Sequence, residues 1–146
     1  MSSGETPELR RRLGYLLKHA QLRLNELTAK ALAPYGLDGR ELAVLSVLGS
    51  GEPASQQEAA QRLGIDRTTM VAFVDTLEGK GLVARRPHAE DRRKNVVELT
   101  PTGRDTLRKA DKAAAAAERT FLAPLTNPAA ESFRDALHTV VHPEGP

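Results

Sequence analysis

Four groups of side chains in this sequence have types and spacings that can do chemistry. The first is cationic. Arg85, Arg86, Arg92, Arg93 and Lys94 put five cations into ten residues at the start of 85-RRPHAEDRRKNVVELTPTG-103. Guanidinium and ammonium groups at this density suit a polyanion, and phosphate oxygens are their matched acceptors. The second group is Arg67, Thr68 and Thr69, which follow a predicted helix cap at Asp66. Cationic and hydroxyl groups at a helix N-terminus can reach phosphates or base edges.

The third group is Arg12, Tyr15 and His19, which share a helical face with Leu16. Together they could hold a small aromatic acid, the arginine on the carboxylate and the rings against the rest. The same side chains would equally dress a dimer interface or a surface patch. The fourth is His138 and His142, two imidazoles at a metal-capable i, i+4 spacing. No third or fourth ligand is evident, and the intervening Val140 and Val141 belong to a packing stripe, so no metal site is expected.

The rest of the chain limits what these groups can serve. With 146 residues there is enough for one domain and one modest core. There is no cysteine, which excludes disulfides, thiol redox sensing and thiolate metal sites. No HExxH, P-loop, dinucleotide fingerprint or nucleophile elbow occurs, so neither an enzyme nor a cofactor is expected. No apolar run is long enough to span a membrane, and 1-MSSGETPELRRR-12 lacks a signal core; a cytoplasmic protein is expected. The net charge is only +2, yet residues 62–104 hold nine Lys/Arg against six Asp/Glu. A basic segment in a balanced chain points to a polyanion partner. Stacking aromatics are scarce, which disfavours single-stranded nucleic acid.

The positioning elements follow from periodicity. Leu9 through Ala31 recur at steps of three and four, a long amphipathic helix ended by Pro34 and Gly36. Asp38 with Glu41 starts a second helix, and Ser55 with Glu58, the better capping box, starts a short third one to Leu63. Gly64 makes a turn, and Asp66 caps a further helix to Gly79 or Gly81. On that helix Met70, Phe73, Val74 and Leu77 face inward, while Thr68, Thr69, Ala72 and Thr76 form a face of small groups. Such a face admits a backbone to a major groove, although a plain αα-hairpin with a solvated face reads the same.

The hairpin behind it decides between them. Leu82–Arg86 and Asn95–Thr100 are β-rich segments around a charged tip. Two short helices, a glycine turn and a hairpin make a winged helix-turn-helix, and the cations sit on its wing. Thr100 and Pro101 then open a long helix through Phe121, and Asn127-Pro128 open a last one with a stripe of Phe133, Leu137, Val140 and Val141. The run 113-AAAAAER-119 reads as high helix propensity or as close approach of another helix.

The segment 63-LGIDRTTMVAFVDTLEGKGLVARRPHAEDRRKNVVELTPTG-103 resembles the MarR (multiple antibiotic resistance regulator) family of bacterial transcription factors. The resemblance lies in a "GLVxR" after the glycine turn, a D-x-R element at Asp91-Arg92-Arg93, and a closing "LTxxG" at Leu99–Gly103. It implies that Asp91 steadies Arg93 for minor-groove insertion, with Arg85, Arg86, Arg92 and Lys94 beside phosphates. It also implies a homodimer joined through the first and last two helices, two winged helices on a pseudo-palindromic duplex, and often a small-molecule inducer. The family's cysteine-based peroxide sensors are excluded.

The expected fold is therefore mainly α with a small β-hairpin wing. It is one domain over 1–146, with dimerisation helices at 7–34 and 101–142 around a winged helix at 38–100. The expected function is a dimeric DNA-binding regulator, a repressor released by a small ligand. The competing class is a winged-helix protein-interaction module whose wing meets an acidic partner.

Overall fold

A computed structural model of the chain describes residues 4–91 and 95–145. Among the described residues, seven α-helices and three short strands follow one another as α1 (Pro7–Arg10), α2 (Leu13–Leu32), α3 (Gly39–Gly49), β1 (Ala54–Ser55), α4 (Gln56–Leu63), α5 (Arg67–Gly79), β2 (Val83–Pro87), β3 (Asn95–Leu99), α6 (Pro101–Leu122) and α7 (Asn127–Val141). The architecture is the mainly helical winged helix-turn-helix that the sequence pattern implies.

Three details differ from the pattern. The predicted first helix is interrupted: Arg12 is extended (φ −70°, ψ 139°) and caps α2, while Thr6 and Pro7 start the separate α1. Pro34 lies inside a 3₁₀ turn, Ala33–Tyr35, and the chain reverses at Gly36, whose φ of +67° is left-handed. The wing is also more than a hairpin. Ala54 and Ser55 pair with Val97 and Val96, so the sheet runs β1-β3-β2 and β2 is an edge strand.

Capping chemistry sets the helix starts. The reciprocal capping box closes at Asp38 and Glu41, and Glu41 also takes a 2.6 Å ion pair from Lys80. At Ser55 the forward cap to the Glu58 amide forms, but the Glu58 carboxylate accepts from the Ser55 hydroxyl instead of from its backbone. Thr100 caps α6 through the Gly103 amide at 3.0 Å and donates its hydroxyl to the Gly81 carbonyl at 2.6 Å. That pair of bonds ties the start of α6 to the turn after α5. Helix α7 opens at Asn127, where the sequence places it, with Thr126 as its cap.

The core lies beneath the winged helix. Leu32, Val44, Leu45, Met70, Val74, Leu77 and Val97 are its largest fully buried side chains. Helix α6 packs along α2, with Ala110 and Ala117 buried, so the small residues there do permit close approach. Arg23 of α2 donates to the Phe121 carbonyl at 2.8 Å and lies 5.2 Å over the Phe121 ring, placing a cation at the end of α6 where the helix dipole favours it. Helix α7 is different: it buries none of its residues.

Candidate nucleic-acid interface

Helix α5 sits where α4 and the Gly64 turn aim it. Gly64 is left-handed (φ +66°), and the Ile65 amide returns to the Ala60 carbonyl at 3.1 Å, so α4 ends sharply two residues before the next cap. Met70, Val74 and Leu77 anchor α5 in the core, and Phe73 is half-buried with Arg40 5.1 Å over its ring. The opposite face carries Arg67, Thr68, Ala72 and Thr76, all exposed. Thr76 donates its hydroxyl to the Ala72 carbonyl at 3.0 Å, which folds it back against the helix. The outward surface of α5 is therefore low and uncluttered, as a helix entering a groove requires.

Thr69 is less available than its neighbours. Asp66 accepts from the Thr69 amide at 3.1 Å and from its hydroxyl at very short range. These bonds, the hydroxyl's foremost, hold the Asp66 carboxyl below the usual aspartate range. They also mean that the first-turn amides of α5 already face a carboxylate, so the N-terminus is no vacant phosphate cradle. Thr69 is half-buried, and Arg67 and Thr68 are left as the exposed groups at this end.

The wing cations fall into different situations. Arg86 is 68% exposed and pairs across the hairpin with Glu98 at 2.5 Å, which leaves most of its guanidinium facing solvent. Arg85 is turned inward. Its guanidinium meets Asp75 at 2.6 Å, Glu78 at 2.9 Å and the Gln56 side-chain oxygen at 3.0 and 3.1 Å. Nearer the tip, His88 accepts through Nδ1 from the Glu90 and Asp91 amides at 3.1 and 3.2 Å, and the ring shapes the turn. Asp91 is half-buried beside it. Arg92, Arg93 and Lys94 lie outside the described residues. Asp75, Glu78, Gln56 and His88 went unread in the sequence; the i, i+3 carboxylates on α5 were the available signal for Arg85's partners.

The aromatic-acid group is only partly assembled within one chain. Tyr15 and His19 do meet, ring centroids 4.1 Å apart. Tyr15 donates its hydroxyl to Glu5 at 2.9 Å, and that bond is the main reason its pKa is raised. Arg12 is exposed at the α2 cap. The apolar cavity of about 240 Å³ lies elsewhere, lined by Leu24, Phe121, Leu122, Phe133 and Leu137 with the Arg134–Glu118 ion pair at its rim. His138 and His142 have ring centroids 4.8 Å apart, tilted to one another, but no cluster of three or more potential ligands exists among the described residues. No helix among them is long and apolar enough to cross a membrane.

Comparison with known proteins agrees with this geometry. Residues 35–94 match the sequence profile of the MarR family. A transcriptional repressor, CouR, solved on a 23-mer DNA duplex, is 36% identical over 94% of this chain and 97% of that one, with a TM-score of 0.86. CouR from Rhodococcus jostii RHA1, solved with p-coumaroyl-CoA, is 29% identical over 94% and 97%, with a TM-score of 0.78. A putative transcriptional regulatory protein for the hcr operon of Thauera aromatica is 28% identical over 79% of this chain and 70% of its own length. Other curated regulators are spanned for 52–58% of their length.

Proposed function

The chain belongs to the MarR family of transcriptional regulators, and from that premise we propose that it acts in the cytoplasm as a homodimeric repressor released from DNA by a small aromatic ligand. One observation carries the DNA reading: the exposed, small-residue face of α5 lies beside a cationic wing, so helix and wing can engage one duplex together. Arg67 and Thr68 are placed for the major groove, Thr69 chiefly holds the helix start, and Arg86 with Arg92, Arg93 and Lys94 supplies cations beside phosphates and the minor groove. Asp91 steadies the arginine two residues on.

Dimerisation is supported by unpaired apolar surface. Leu13 is 76% exposed and Val140 75%, and Leu16, Leu17, Val141, Leu137 and Phe133 lie open on the same outer helices. Apolar stripes of this length at both chain ends mark an association surface. A ligand site near Arg12, Tyr15 and His19 would then be completed at that junction, and the acyl-CoA bound by the Rhodococcus relative extends the candidate ligands from aromatic acids to their CoA thioesters. The test is selection of duplexes from a random pool, followed by gel shift with and without those ligands. Enriched inverted repeats with half-sites about one helical turn apart are expected. Recovery of no enriched sequence, together with capture of an acidic protein partner through the wing, would instead establish the interaction-module reading.

A further inference from the structure

Among the described residues near the wing, no side chain makes more internal bonds than Arg85. It stands at the centre of β2, opposite Val97 of β3, and its side chain reaches back over α5 to Asp75 and Glu78 and across to Gln56 at the first turn of α4. Glu78 also accepts the Arg85 backbone amide at 3.3 Å. Because β2 is the outer strand, that amide faces away from the sheet, and Glu78 supplies the acceptor that a further strand would have provided. The planar fork of a guanidinium fixes direction as well as distance, so three elements are locked at one point.

We propose that Asp75, Glu78 and Gln56, acting through Arg85, are positioning residues that set the angle of the wing against the recognition helix. On this account Arg85 is a strut and not a phosphate contact. Only 20% of its side chain is exposed, and its donors already have acceptors. The proposal rests on the reading that the wing engages DNA.

The sign of one experiment separates strut from charge. Asp75→Ala with Glu78→Ala removes two carboxylates from α5 together with the acceptor oxygens they offer Arg85. By charge alone that change tightens binding, since less negative potential opposes the phosphates. Loss of a strut weakens it instead, by about tenfold, the size of one lost groove contact. Affinity is read by fluorescence anisotropy on a labelled duplex selected with the wild-type protein, across a salt series, with thermal melting on the same samples. The pair is then repeated in a protein whose wing cations Arg86, Arg92, Arg93 and Lys94 are alanine. There the effect should shrink to within about twofold, the scatter of independent sites. A role confined to folding would persist in that background and shift the melting temperature equally in both.

Unchanged or tighter binding by Asp75→Ala/Glu78→Ala in the native-wing protein overturns the strut while leaving the DNA-binding wing intact. Alanine at the wing cations with no loss of affinity overturns both. Should the double variant fail to fold, Asp75→Ala alone removes the 2.6 Å bond at a largely exposed carboxylate and must show the same dependence on the wing, at smaller size.

Discussion

The Cβ that Gly103 lacks would lie 1.9 Å from the carbonyl oxygen of Leu82. This is the reason for the glycine in Leu99-Thr100-Pro101-Thr102-Gly103. The Leu82 carbonyl is held in place by the Thr100 amide at 3.0 Å, and the Thr100 hydroxyl grips the neighbouring Gly81 carbonyl. The first turn of α6 thus sits directly on the base of the wing, backbone against backbone, with no room for a methyl group.

Gly103→Ala should therefore be severely destabilising although alanine favours helices. The obstacle is a carbonyl in a hydrogen-bonded turn, which cannot yield as a flexible side chain would. A cost of about 3 kcal/mol or more is expected, at the upper end for overpacking. Urea denaturation measures it, and a loss below about 1 kcal/mol would mean that α6 can slide off the wing base without penalty.

Acid should loosen the recognition helix at its start. Asp66 has its carboxyl pKa lowered by the Thr69 hydroxyl and amide, so it is ionised to lower pH in the folded than in the unfolded chain. The stabilisation is fully present above the ordinary aspartate value and disappears as pH falls through the lower folded one. Asn at this position also caps a helix but does not titrate. Thermal melts of wild type and Asp66→Asn between neutral and strongly acidic pH should converge toward the acid end, the wild type losing stability faster.

These two cases show what a sequence exposes. Asp38, Asp66 and Thr100 were legible as caps because capping is a contact within one turn, and Met70, Val74 and Leu77 because burial follows the helical period. The interruption at Arg11 and Arg12 was not, since leucines at three- and four-residue steps read alike through a two-residue break. Strand β1 has too few residues to show any alternation. Arg85's internal bonds were hidden for another reason. Its charge reads as phosphate-directed, and its partners Asp75, Glu78 and Gln56 sit up to 29 residues away along the chain, joined to it only by the fold.

On the wing, Arg93→Ala should weaken binding to a selected duplex by about 1–3 kcal/mol and lower the salt slope by about one, with melting unchanged. Arg86→Ala should also lower the slope, but it frees Glu98 as well as removing a cation. Gel shift across a salt series distinguishes the two. Wild-type affinity and slope in a folded Arg93→Ala would remove the wing from the mechanism.

The proposed dimer should depend on α7. With no buried residue of its own and Val140 and Val141 largely exposed, it has little reason to stay helical in an isolated chain. Deleting residues 127–146, or introducing Val140→Glu with Val141→Glu, should yield a monomer that binds single half-sites weakly. Sedimentation of the full-length protein should show a dimer at micromolar concentration; a monomer there ends the argument.

Induction is the last consequence, and its geometry is specific. Tyr15 and His19 form a tilted ring pair on α2, with Glu5 holding the Tyr15 hydroxyl and Arg12 one turn toward the N-terminus. An aromatic carboxylate or thioester entering here would meet two rings and a guanidinium, and it would press on the helix that links the dimer scaffold to α6 and hence to the wing base. The two recognition helices must lie about 34 Å apart to meet successive major grooves, so a ligand that fixes another spacing favours the free state. Coupling of about 1–3 kcal/mol is the usual size for such a shift. Arg12→Ala and His19→Ala should keep DNA affinity and lose release. Glu5→Gln should keep both, since a neutral side chain can still accept from the tyrosine while ceasing to repel an anion. Calorimetry with aromatic acids and their CoA thioesters, run beside gel shifts of each variant, measures both halves. If Arg12→Ala and His19→Ala respond as wild type does, the ligand binds elsewhere, and the cavity between Leu24, Phe121 and Phe133 becomes the place to mutate next.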